Sequence, residues 1–338
     1  MNQEFNPSGY AVKNGNFIGL PYDEESASIV FLPVAWEATV SYAAGTATGP
    51  NNILEASYQL DLYDADVKDA YKLGHYMRPL SQSILDLSDR TRALAKLHID
   101  NLEAGLKSNP EILEKVNTAS GKVNTWVKNQ CQELLDAGKM VGLVGGEHSC
   151  PLGFLQALGE RYSDFGILHI DAHCDLRKAY EGFTYSHASI FYNALEEVSS
   201  ISKLVQVGIR DYCEEEMDYV ADSNGRIEVL FDQQINEAMF VGTSYHDICM
   251  SAIDKLPQNV YISFDIDGLD PTLCPGTGTP VAGGLSLPQS FYLLKLLANS
   301  GRTIIGFDLC EVGSASEWDG NVGARVLYKL ANLMAATR

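Results

Sequence analysis

Three short apolar runs of this chain each end in a cluster of acidic and imidazole side chains. The runs and their clusters are 141–144 with His148, 166–170 with Asp171, His173 and Asp175, and 260–262 with Asp265 and Asp267. Residues two apart point the same way in an extended chain, so the members of each cluster can face one point. Four carboxylates at one point repel strongly unless cations lie between them. The pattern therefore predicts a pair of divalent metal ions.

The remaining pattern predicts an α/β fold. Strands are predicted at 28–35, 140–144, 166–170, 203–207, 227–230, 259–264 and 303–307. Helices are predicted at 51–58, in two stretches between 80 and 138, and at 151–158, 187–197, 213–221, 288–298 and 323–336. Near-continuous apolar strands alternating with helices are typical of a mostly parallel sheet covered on both faces. Ligands bind such sheets beyond the carboxyl ends of the strands, where all three clusters lie.

One domain is expected to cover residues 1–338, because no internal repeat, low-complexity tract or linker divides the chain. A hydrophobic content of 46% is ample for a large core. Residues 1–25 are predicted to form a polar, irregular arm. Residues from roughly 70 to 138 are predicted to form a helical elaboration of the α/β domain.

The charge balance excludes some partners. The chain has 24 Lys and Arg residues against 44 Asp and Glu, a formal net charge of −20. Such a surface repels nucleic acid and anionic membranes, and it is compatible with a cationic substrate or with a simple solubility role. No apolar run approaches the roughly 20 residues of a membrane span, and the first residues do not resemble a secretory signal. Seven cysteines without repeat spacing fit a reduced compartment, so a cytoplasmic location is expected.

Two imidazoles and four carboxylates form an oxygen-rich ligand set. This set suits Mn²⁺ better than Zn²⁺, whose structural sites favour Cys and His. Ni²⁺, Co²⁺ and Fe²⁺ are alternative ions for the same ligand set. Paired metals can share a bridging water, lower its pKa and hold it as hydroxide beside a substrate. A lone Asp or His is more often a helix cap or a buried structural group, but six such residues at strand ends favour a metal site.

Three blocks of the sequence resemble the signature blocks of the ureohydrolases, the arginase and agmatinase family. These blocks are GGEHS (145–149), DAHCD (171–175) and SFDIDGLDPTLCPGTGTPVAGGLS (263–286). The resemblance extends over roughly residues 28–335. It implies a three-layer, arginase-like α/β fold that hydrolyses guanidino or amidino groups with two Mn²⁺ ions. It also implies a homo-oligomer, either a trimer or a hexamer.

The resemblance further implies a ligand set for each metal ion. One ion would be surrounded by His148, Asp171, Asp175 and Asp265, and the other by His173, Asp171, Asp265 and Asp267. Asp171 and Asp265 would bridge the two ions. In the family, a bridging hydroxide attacks the planar guanidinium carbon, and Asp175 would orient that hydroxide.

Two further residues match the family pattern. His187, in the sequence YSHAS, resembles a loop histidine that shuttles protons to the leaving amine, a role that suits an imidazole. Glu311, in DLCEV, resembles a carboxylate that grips and orients the guanidinium NH groups. The structural alternatives are a helix-capping role for His187 and a solvated or core-paired Glu311.

Departures from the family bear on the substrate. Arg177 lies where arginases carry an Asn that helps to read the α-amino and α-carboxylate groups, so arginine is disfavoured. The run DLRKAYEGFTYSHAS (175–189) resembles the agmatinase-like branch, which includes enzymes acting on guanidino acids or free guanidine. Arg177 is expected either to meet a substrate carboxylate or to pair with Glu181 at the surface. Glu147 replaces the commoner Asp before the metal histidine, and no loss of function is expected because that side chain is not a ligand.

Three other residues near the blocks are expected to be structural. Cys174 and Cys274 flank the predicted site and are interpreted as small buried hydrophobes rather than thiol ligands or redox switches. His169, inside the strand before DAHCD, is expected to fill the core or to hold a neighbouring group in place rather than to bind metal.

The leading hypothesis is a dinuclear manganese hydrolase of the agmatinase type that releases urea from a small cationic guanidino compound. A guanidino-acid hydrolase (guanidinobutyrase), a guanidine hydrolase and a formiminoglutamase are alternatives. A two-metal phosphoesterase is disfavoured because the chain lacks the Asn-His-Glu turn and the Gly-His-x-His motif that those enzymes favour. A non-catalytic metal-binding relative is disfavoured because every expected ligand, His187 and Glu311 are present.

Overall fold

A computed structural model describes residues 5–338, and its eight parallel strands form one sheet. The strands are β1 (Ile29–Pro33), β2 (His75–Met77), β3 (Met140–Val144), β4 (Phe165–Ile170), β5 (Ile201–Ile209), β6 (Ile227–Phe231), β7 (Asn259–Asp265) and β8 (Thr303–Cys310). Neighbouring strands follow the order β2-β1-β3-β8-β7-β4-β5-β6, and every pairing between these strands is parallel. All the carboxyl ends of the strands therefore meet at one end of the sheet.

Ten α-helices of the described chain connect and cover the strands. They are α1 (Gly49–Ser57), α2 (Gln82–Glu103), α3 (Pro110–Asp136), α4 (Leu152–Gly159), α5 (Ile190–Glu197), α6 (Glu214–Asp222), α7 (Asp232–Phe240), α8 (Tyr245–Ile253), α9 (Leu287–Asn299) and α10 (Glu317–Ala336). One face of the sheet packs against α3, α4 and α5, and the other against α1, α8, α9 and α10. These three layers confirm the predicted α/β fold.

Both faces of the central strands are apolar. In β7, Val260, Ile262 and Phe264 lie in the buried cluster on one side of the sheet, whereas Tyr261 lies in the cluster on the other side. Successive side chains of a strand point to opposite faces, so a strand between two helical layers needs apolar residues at every position. This is why the sequence shows continuous apolar runs.

The predicted strands and helices are present, with ends that shift by a few residues. α3 begins as predicted at Asn109, because its side chain accepts hydrogen bonds from the backbone N–H groups of Glu111 and Ile112. The sequence did not predict β2, α7 or α8. β2 has only three residues, and α7 buries only Ile235, so neither leaves a clear apolar period in the sequence.

The N-terminal segment carries a short 3-10 helix, Phe17–Gly19, and is anchored by apolar side chains. Phe17, Ile18 and Leu20 are buried against the sheet layer. The side chain of Asn16 donates a hydrogen bond to the backbone oxygen of His75, and its Oδ1 accepts one from Met77 N. These bonds tie the segment to β2. Residues 1–4 of the predicted arm lie outside the described residues.

The long helices α2 and α3 occupy the region predicted to be helical. α3 contributes Val123, Val127 and Cys131 to the buried cluster on one face of the sheet. α2 packs on the outer part of α3, where Ala95 and Ile99 lie in a separate small cluster. Neither these two nor any other helix of residues 5–338 has the length and apolar character needed to cross a membrane.

A buried histidine connects the edge strand β2 to α10. His75 is fully buried, and its Nε2 lies 3.1 Å from Asn332 Oδ1. The amide of Asn332 is oriented by a hydrogen bond from its Nδ2 to Asp64 Oδ2, so Oδ1 is the acceptor and His75 Nε2 carries the proton. Burial lowers the pKa of His75 to about 4, because the imidazolium would lose its hydration there.

This histidine should make the fold sensitive to mild acid. In the unfolded chain the imidazole has a pKa of about 6.5. Between pH 6.5 and pH 4 the unfolded chain therefore binds a proton that the folded chain does not bind. The free energy of unfolding falls as the pH falls through this range. The loss between pH 7 and pH 5 is about 2 kcal/mol. We expect His75→Gln to remove this part of the pH dependence, measured by denaturant unfolding in EDTA at both pH values.

The exposed His246 provides a matched control for this experiment. His246→Gln should keep the wild-type difference between the two pH values. An identical pH dependence in His75→Gln and in the wild type would contradict the assignment of His75 as a buried neutral group.

Candidate metal centre

The three predicted clusters and Glu311 lie together at the carboxyl ends of four neighbouring strands. His148 follows β3, the cluster of Asp171, His173 and Asp175 follows β4, Asp265 is the last residue of β7 with Asp267 just beyond it, and Glu311 follows β8. Because β3, β8, β7 and β4 are adjacent in the sheet, residues distant in sequence meet at one place.

The first group of donors surrounds one nitrogen of His148. Its Nδ1 lies 3.0 Å from Asp171 Oδ2, 3.0 Å from Asp175 Oδ2 and 3.3 Å from Asp265 Oδ2. Nevertheless, within the described chain this nitrogen has no hydrogen-bond partner. All four residues are buried. An imidazole nitrogen and three carboxylate oxygens that face one another without hydrogen-bond geometry are suited to coordinate a cation. These four residues are the set predicted for one metal ion.

A second group shares Asp171 with the first. His173 Nδ1 lies 3.1 Å from Asp267 Oδ2 and 3.4 Å from Asp171 Oδ1. The two oxygens of Asp171 thus face different groups, which is the arrangement expected of a bridging ligand. Asp265 accepts a hydrogen bond from Asp267 N at 2.8 Å through Oδ1 and directs Oδ2 toward His148.

Hydrogen bonds from buried polar residues hold these donors in place. Gln206 Nε2 donates to His169 Nδ1 at 2.9 Å, so the proton of His169 lies on Nε2, which donates to Asp171 Oδ2 at 2.7 Å. His148 Nε2 lies 2.9 Å from Ser263 Oγ. Such outer contacts fix ring orientation and tautomer. His169 therefore orients Asp171, in agreement with the role expected from the sequence.

Sequence analysis missed the other members of this supporting layer. Gln206 lies inside β5, Ser263 inside β7 and Asp308 inside β8, and each is fully buried. Asp308 Oδ1 lies 3.7 Å from His148 Nε2. The sequence signal that could have identified them is a polar residue within an otherwise apolar strand, because a buried polar side chain needs a hydrogen-bond partner or a charged neighbour.

The carboxylates of the site have opposed pKa shifts. Burial, followed by the charge of Asp171, raises the pKa of Asp175 to about 7. Burial and the charge of Asp267 raise the pKa of Asp265 well above its usual range. Burial also disfavours ionised Asp171, but His169 and His148 outweigh it and lower the pKa of Asp171 well below its usual range. The protein alone therefore cannot keep all of these carboxylates ionised, whereas bound divalent cations would supply the missing positive charge.

Glu311 has one oxygen bound by the protein and one oxygen free. Oε1 accepts a hydrogen bond from His148 N at 2.9 Å, and Oε2 is buried with no partner among residues 5–338. A Cβ atom at Gly278 would lie 3.0 Å from Oε2, a tight contact that the glycine avoids. Burial, followed by the charge of Glu147, raises the pKa of Glu311 well above its usual range. The solvated alternative for Glu311 is wrong, because only 4% of the residue is exposed.

The backbone is strained at two of the predicted catalytic residues. Asp175 has φ 54° and Glu311 has φ 61°. These left-handed values cost non-glycine residues about 1–3 kcal/mol and often mark functional sites. Here the turn at each residue follows a strand and brings a carboxylate into the site.

His187 begins a short 3-10 helix, His187–Ser189, that precedes α5. Its Nδ1 lies 3.3 Å from Thr39 Oγ1, on a different loop, and its ring packs edge-on against Tyr180. The capping alternative is not supported, because Ser186 occupies the cap position. Burial, followed by His173 and His148, lowers the pKa of His187 to about 3, so its imidazole is neutral near pH 7.

A cavity of about 440 Å³ opens beside the two donor groups. His173, Asp175 and His187 line it. Its lining also includes Tyr42, Arg177, Tyr180, Asp211, Tyr212 and Glu216.

Arg177 lies in this cavity and not on the outer surface. Its Nε is 4.0 Å from Glu216 Oε2, and its guanidinium group lies 5.0 Å from the centre of the Tyr180 ring. The expected pairing of Arg177 with Glu181 is therefore wrong. The helix α6 brings Glu216 to this position, a contact that sequence spacing could not reveal.

Cys174 and Cys274 are buried thiols, as expected. Burial raises the pKa of both thiols above the usual range, and no disulfide is formed in the described chain. Neither belongs to the two donor groups that share Asp171.

Comparison with known proteins agrees with this geometry. Residues 27–335 match the model of the Arginase family. The chain is 31% identical to the N(1)-aminopropylagmatine ureohydrolase of Thermus thermophilus, over 93% of this chain and 92% of the relative. It is 31% identical to the agmatinase of Halalkalibacterium halodurans, over 87% of this chain and 86% of the relative. The crystal structure of proclavaminate amidinohydrolase from Streptomyces clavuligerus superposes with a TM-score of 0.73 at 22% identity, covering 98% of this chain and 100% of that chain.

These matches confirm three predictions made from the sequence. The resemblance to ureohydrolases is real, the fold is arginase-like, and the enzyme class is that of hydrolases acting on C–N bonds. The match spans 27–335, close to the extent predicted from the three blocks. The chain therefore belongs to the Arginase family.

Proposed function

We propose that this chain is a dinuclear metal-dependent hydrolase that releases urea from a small, amine-bearing guanidino compound of the agmatine type. The observation that carries the proposal is the pair of donor groups sharing Asp171, beside a cavity that also contains His187. The unpartnered Oε2 of Glu311 supplies a buried acceptor close to the same site. A cytoplasmic homo-oligomer, trimeric or hexameric, is part of the same proposal by resemblance.

The residues present fit a pair of divalent cations. Ion one would be held by His148, Asp171, Asp175 and Asp265, and ion two by His173, Asp171, Asp265 and Asp267. Mn²⁺ is the proposed ion because imidazole and carboxylate donors suit it, and Ni²⁺ is the nearest alternative. When bound, the ions supply Lewis acidity and lower the pKa of water, so that a nucleophile is available near neutral pH.

Protein groups would orient the substrate and move the protons. Glu311 Oε2 would accept a hydrogen bond from a guanidinium N–H and fix the plane of the group. Asp175 would accept a hydrogen bond from the attacking water and align it with the guanidinium carbon. His187, neutral at rest, would take a proton from the water and deliver it to the leaving nitrogen as the C–N bond breaks. The water oxygen ends in urea. The second proton of the water is released as the urea carbonyl forms and also goes to the leaving nitrogen, so the amine leaves as an ammonium ion.

The charges of the cavity favour a substrate with a second positive group. Arg177 is matched by Glu216, which leaves the carboxylate of Asp211 without a counter-charge in the described structure. Three tyrosine rings, those of Tyr42, Tyr180 and Tyr212, line the same region and can hold a cation over their faces. An alkylamine tail would therefore be attracted, in line with the names of the agmatinase and aminopropylagmatine relatives.

A guanidino acid is the second candidate substrate. Arg177 lies in the cavity, and a substrate carboxylate could compete with Glu216 for its guanidinium group. Free guanidine would leave most of the 440 Å³ cavity unfilled, so it ranks lower.

We expect the Mn²⁺-loaded protein to release urea from agmatine or a longer amine-bearing relative faster than from guanidinobutyrate. Guanidine, arginine and formiminoglutamate should react near background, because guanidine has no chain to fill the cavity, arginine carries a carboxylate beside its amine, and formiminoglutamate carries carboxylates and no amine tail. Urea and ammonia release across this panel measures the preference. Turnover of guanidinobutyrate alone would favour the second candidate, and no turnover of any compound would overturn the proposed hydrolase.

Asp267→Ala should remove one metal ion and most of the activity. Its carboxylate is the partner of His173 in the second donor group, so the loss of kcat should be about 100-fold or more. Metal content by elemental analysis and kcat on agmatine are the measurements. Asp270→Ala is the matched control, because Asp270 lies three residues away and, among residues 5–338, its side chain accepts hydrogen bonds from Thr272 alone. Full metal content in Asp267→Ala would contradict the ligand assignment.

Asp211→Asn should weaken binding of amine-bearing substrates selectively. Asp211 is exposed at the cavity, so its attraction for a cationic tail is screened, and KM for agmatine should rise about 2- to 5-fold. The exposed Asp218→Asn on α6 is the control and should leave KM unchanged. An unchanged KM in Asp211→Asn would show that this carboxylate does not contribute to substrate specificity.

A further inference from the structure

The hydroxyl group of Thr39 lies between the carboxylate of Glu147 and the imidazole of His187. Thr39 Oγ1 is 2.9 Å from Glu147 Oε1, 3.1 Å from the backbone N of His187 and 3.3 Å from His187 Nδ1. The three residues come from separate loops, which follow β1, β3 and β4. The contact therefore depends on the assembled fold and not on neighbours in the sequence.

The hydrogen-bond capacity of this hydroxyl leaves one arrangement. A threonine hydroxyl has one proton to donate and two lone pairs that accept. The carboxylate of Glu147 also lies 2.7 Å from Thr39 N and 2.7 Å from Ser149 Oγ, and in its ionised form it can only accept hydrogen bonds. The Thr39 proton is thus donated to Glu147, and one lone pair accepts the His187 backbone N–H. The remaining lone pair can only accept a proton carried by His187 Nδ1.

We propose that Thr39 is a positioning residue that holds His187 in the tautomer protonated at Nδ1, with Nε2 free to take a proton. This inference rests on the proposed reaction, in which His187 transfers a proton to the leaving nitrogen. His187 lines the cavity, and Nδ1 is committed to Thr39, so Nε2 is the ring nitrogen left for the substrate. The opposite tautomer would present an N–H there and could not accept a proton.

The role explains why Glu147 is buried beside the metal ligands without being one. Its carboxylate is fully buried and is satisfied by Thr39 and Ser149. Its contribution is to fix the direction of the Thr39 hydroxyl, which in turn decides the proton position on His187. The replacement of Asp by Glu at this position keeps that acceptor.

Thr39→Val and Thr39→Ser separate this role from simple packing. Valine keeps the shape but removes the hydroxyl, so kcat for agmatine should fall about 10- to 100-fold with KM changed less than about 2-fold. Serine keeps the hydroxyl and should restore most of kcat. Thr91→Val is the control, because Thr91 is a buried threonine whose hydroxyl, within residues 5–338, bonds only the helix carbonyl of Leu87. Its kcat should match the wild type.

A spectroscopic readout tests the tautomer without relying on turnover. Full-length protein labelled with ¹⁵N-histidine and loaded with diamagnetic Zn²⁺ gives the ring signals, and His187→Gln assigns those of His187. The wild type and Thr39→Ser should show the Nδ1–H form, and Thr39→Val should lose that preference.

An Nε2–H tautomer in the wild type, or an unchanged tautomer in Thr39→Val, would overturn the proposal. Equal losses of kcat in the valine and serine variants would do the same. A wild type inactive on every substrate, yet with the expected tautomer pattern, would overturn the proposed reaction while supporting the placement of the proton by Thr39.

Discussion

Mutual repulsion among buried carboxylates is the constraint on which this structure depends. Asp171, Asp175, Asp265 and Asp267 are each at most 5% exposed. Burial raises the pKa of Asp175 and Asp265, whereas His169 and His148 lower the pKa of Asp171. Such a cluster persists only where cations offset the charge. The fold brings the cluster about because β3, β8, β7 and β4 are neighbours, which gives each donor a strand end that fixes its position.

Buried polar groups below the donors determine their orientation. Gln206 sets the tautomer of His169, and His169 donates to Asp171. Ser263 and Asp308 face Nε2 of His148, so a proton on Nε2 is stabilised and the lone pair of Nδ1 is left toward the carboxylates. A second series of hydrogen bonds links Glu147, Thr39 and His187. In each series, contacts between residues distant in sequence determine which ring nitrogen of a histidine carries the proton.

Sequence analysis predicted the parts of the structure that depend on local pattern. The continuous apolar runs identified the strands, and the clusters at their ends identified His148, Asp171 and Asp265 as neighbours in space. Contacts between distant loops carry no such periodic signal, which is why Thr39, Gln206 and the Arg177–Glu216 pair were missed. β2 and α7 were missed because one is very short and the other buries a single apolar side chain.

Several features of the site lower the stability of the fold when no ligand is bound, and these unfavourable features indicate a binding function. Asp175 and Glu311 adopt left-handed backbone conformations, Glu311 Oε2 lacks a partner in the described chain, and the carboxylates crowd one another. A protein selected for stability alone would replace such residues with apolar ones, as it has throughout the two clusters on either side of the sheet. Their persistence at the strand ends means that the unfavourable terms are offset by something bound. In the proposed function, a pair of divalent cations would offset the carboxylates and a guanidinium group would offset Glu311. The rigidity of the eight-stranded sheet then keeps both sets of charges in place while the ligand is absent.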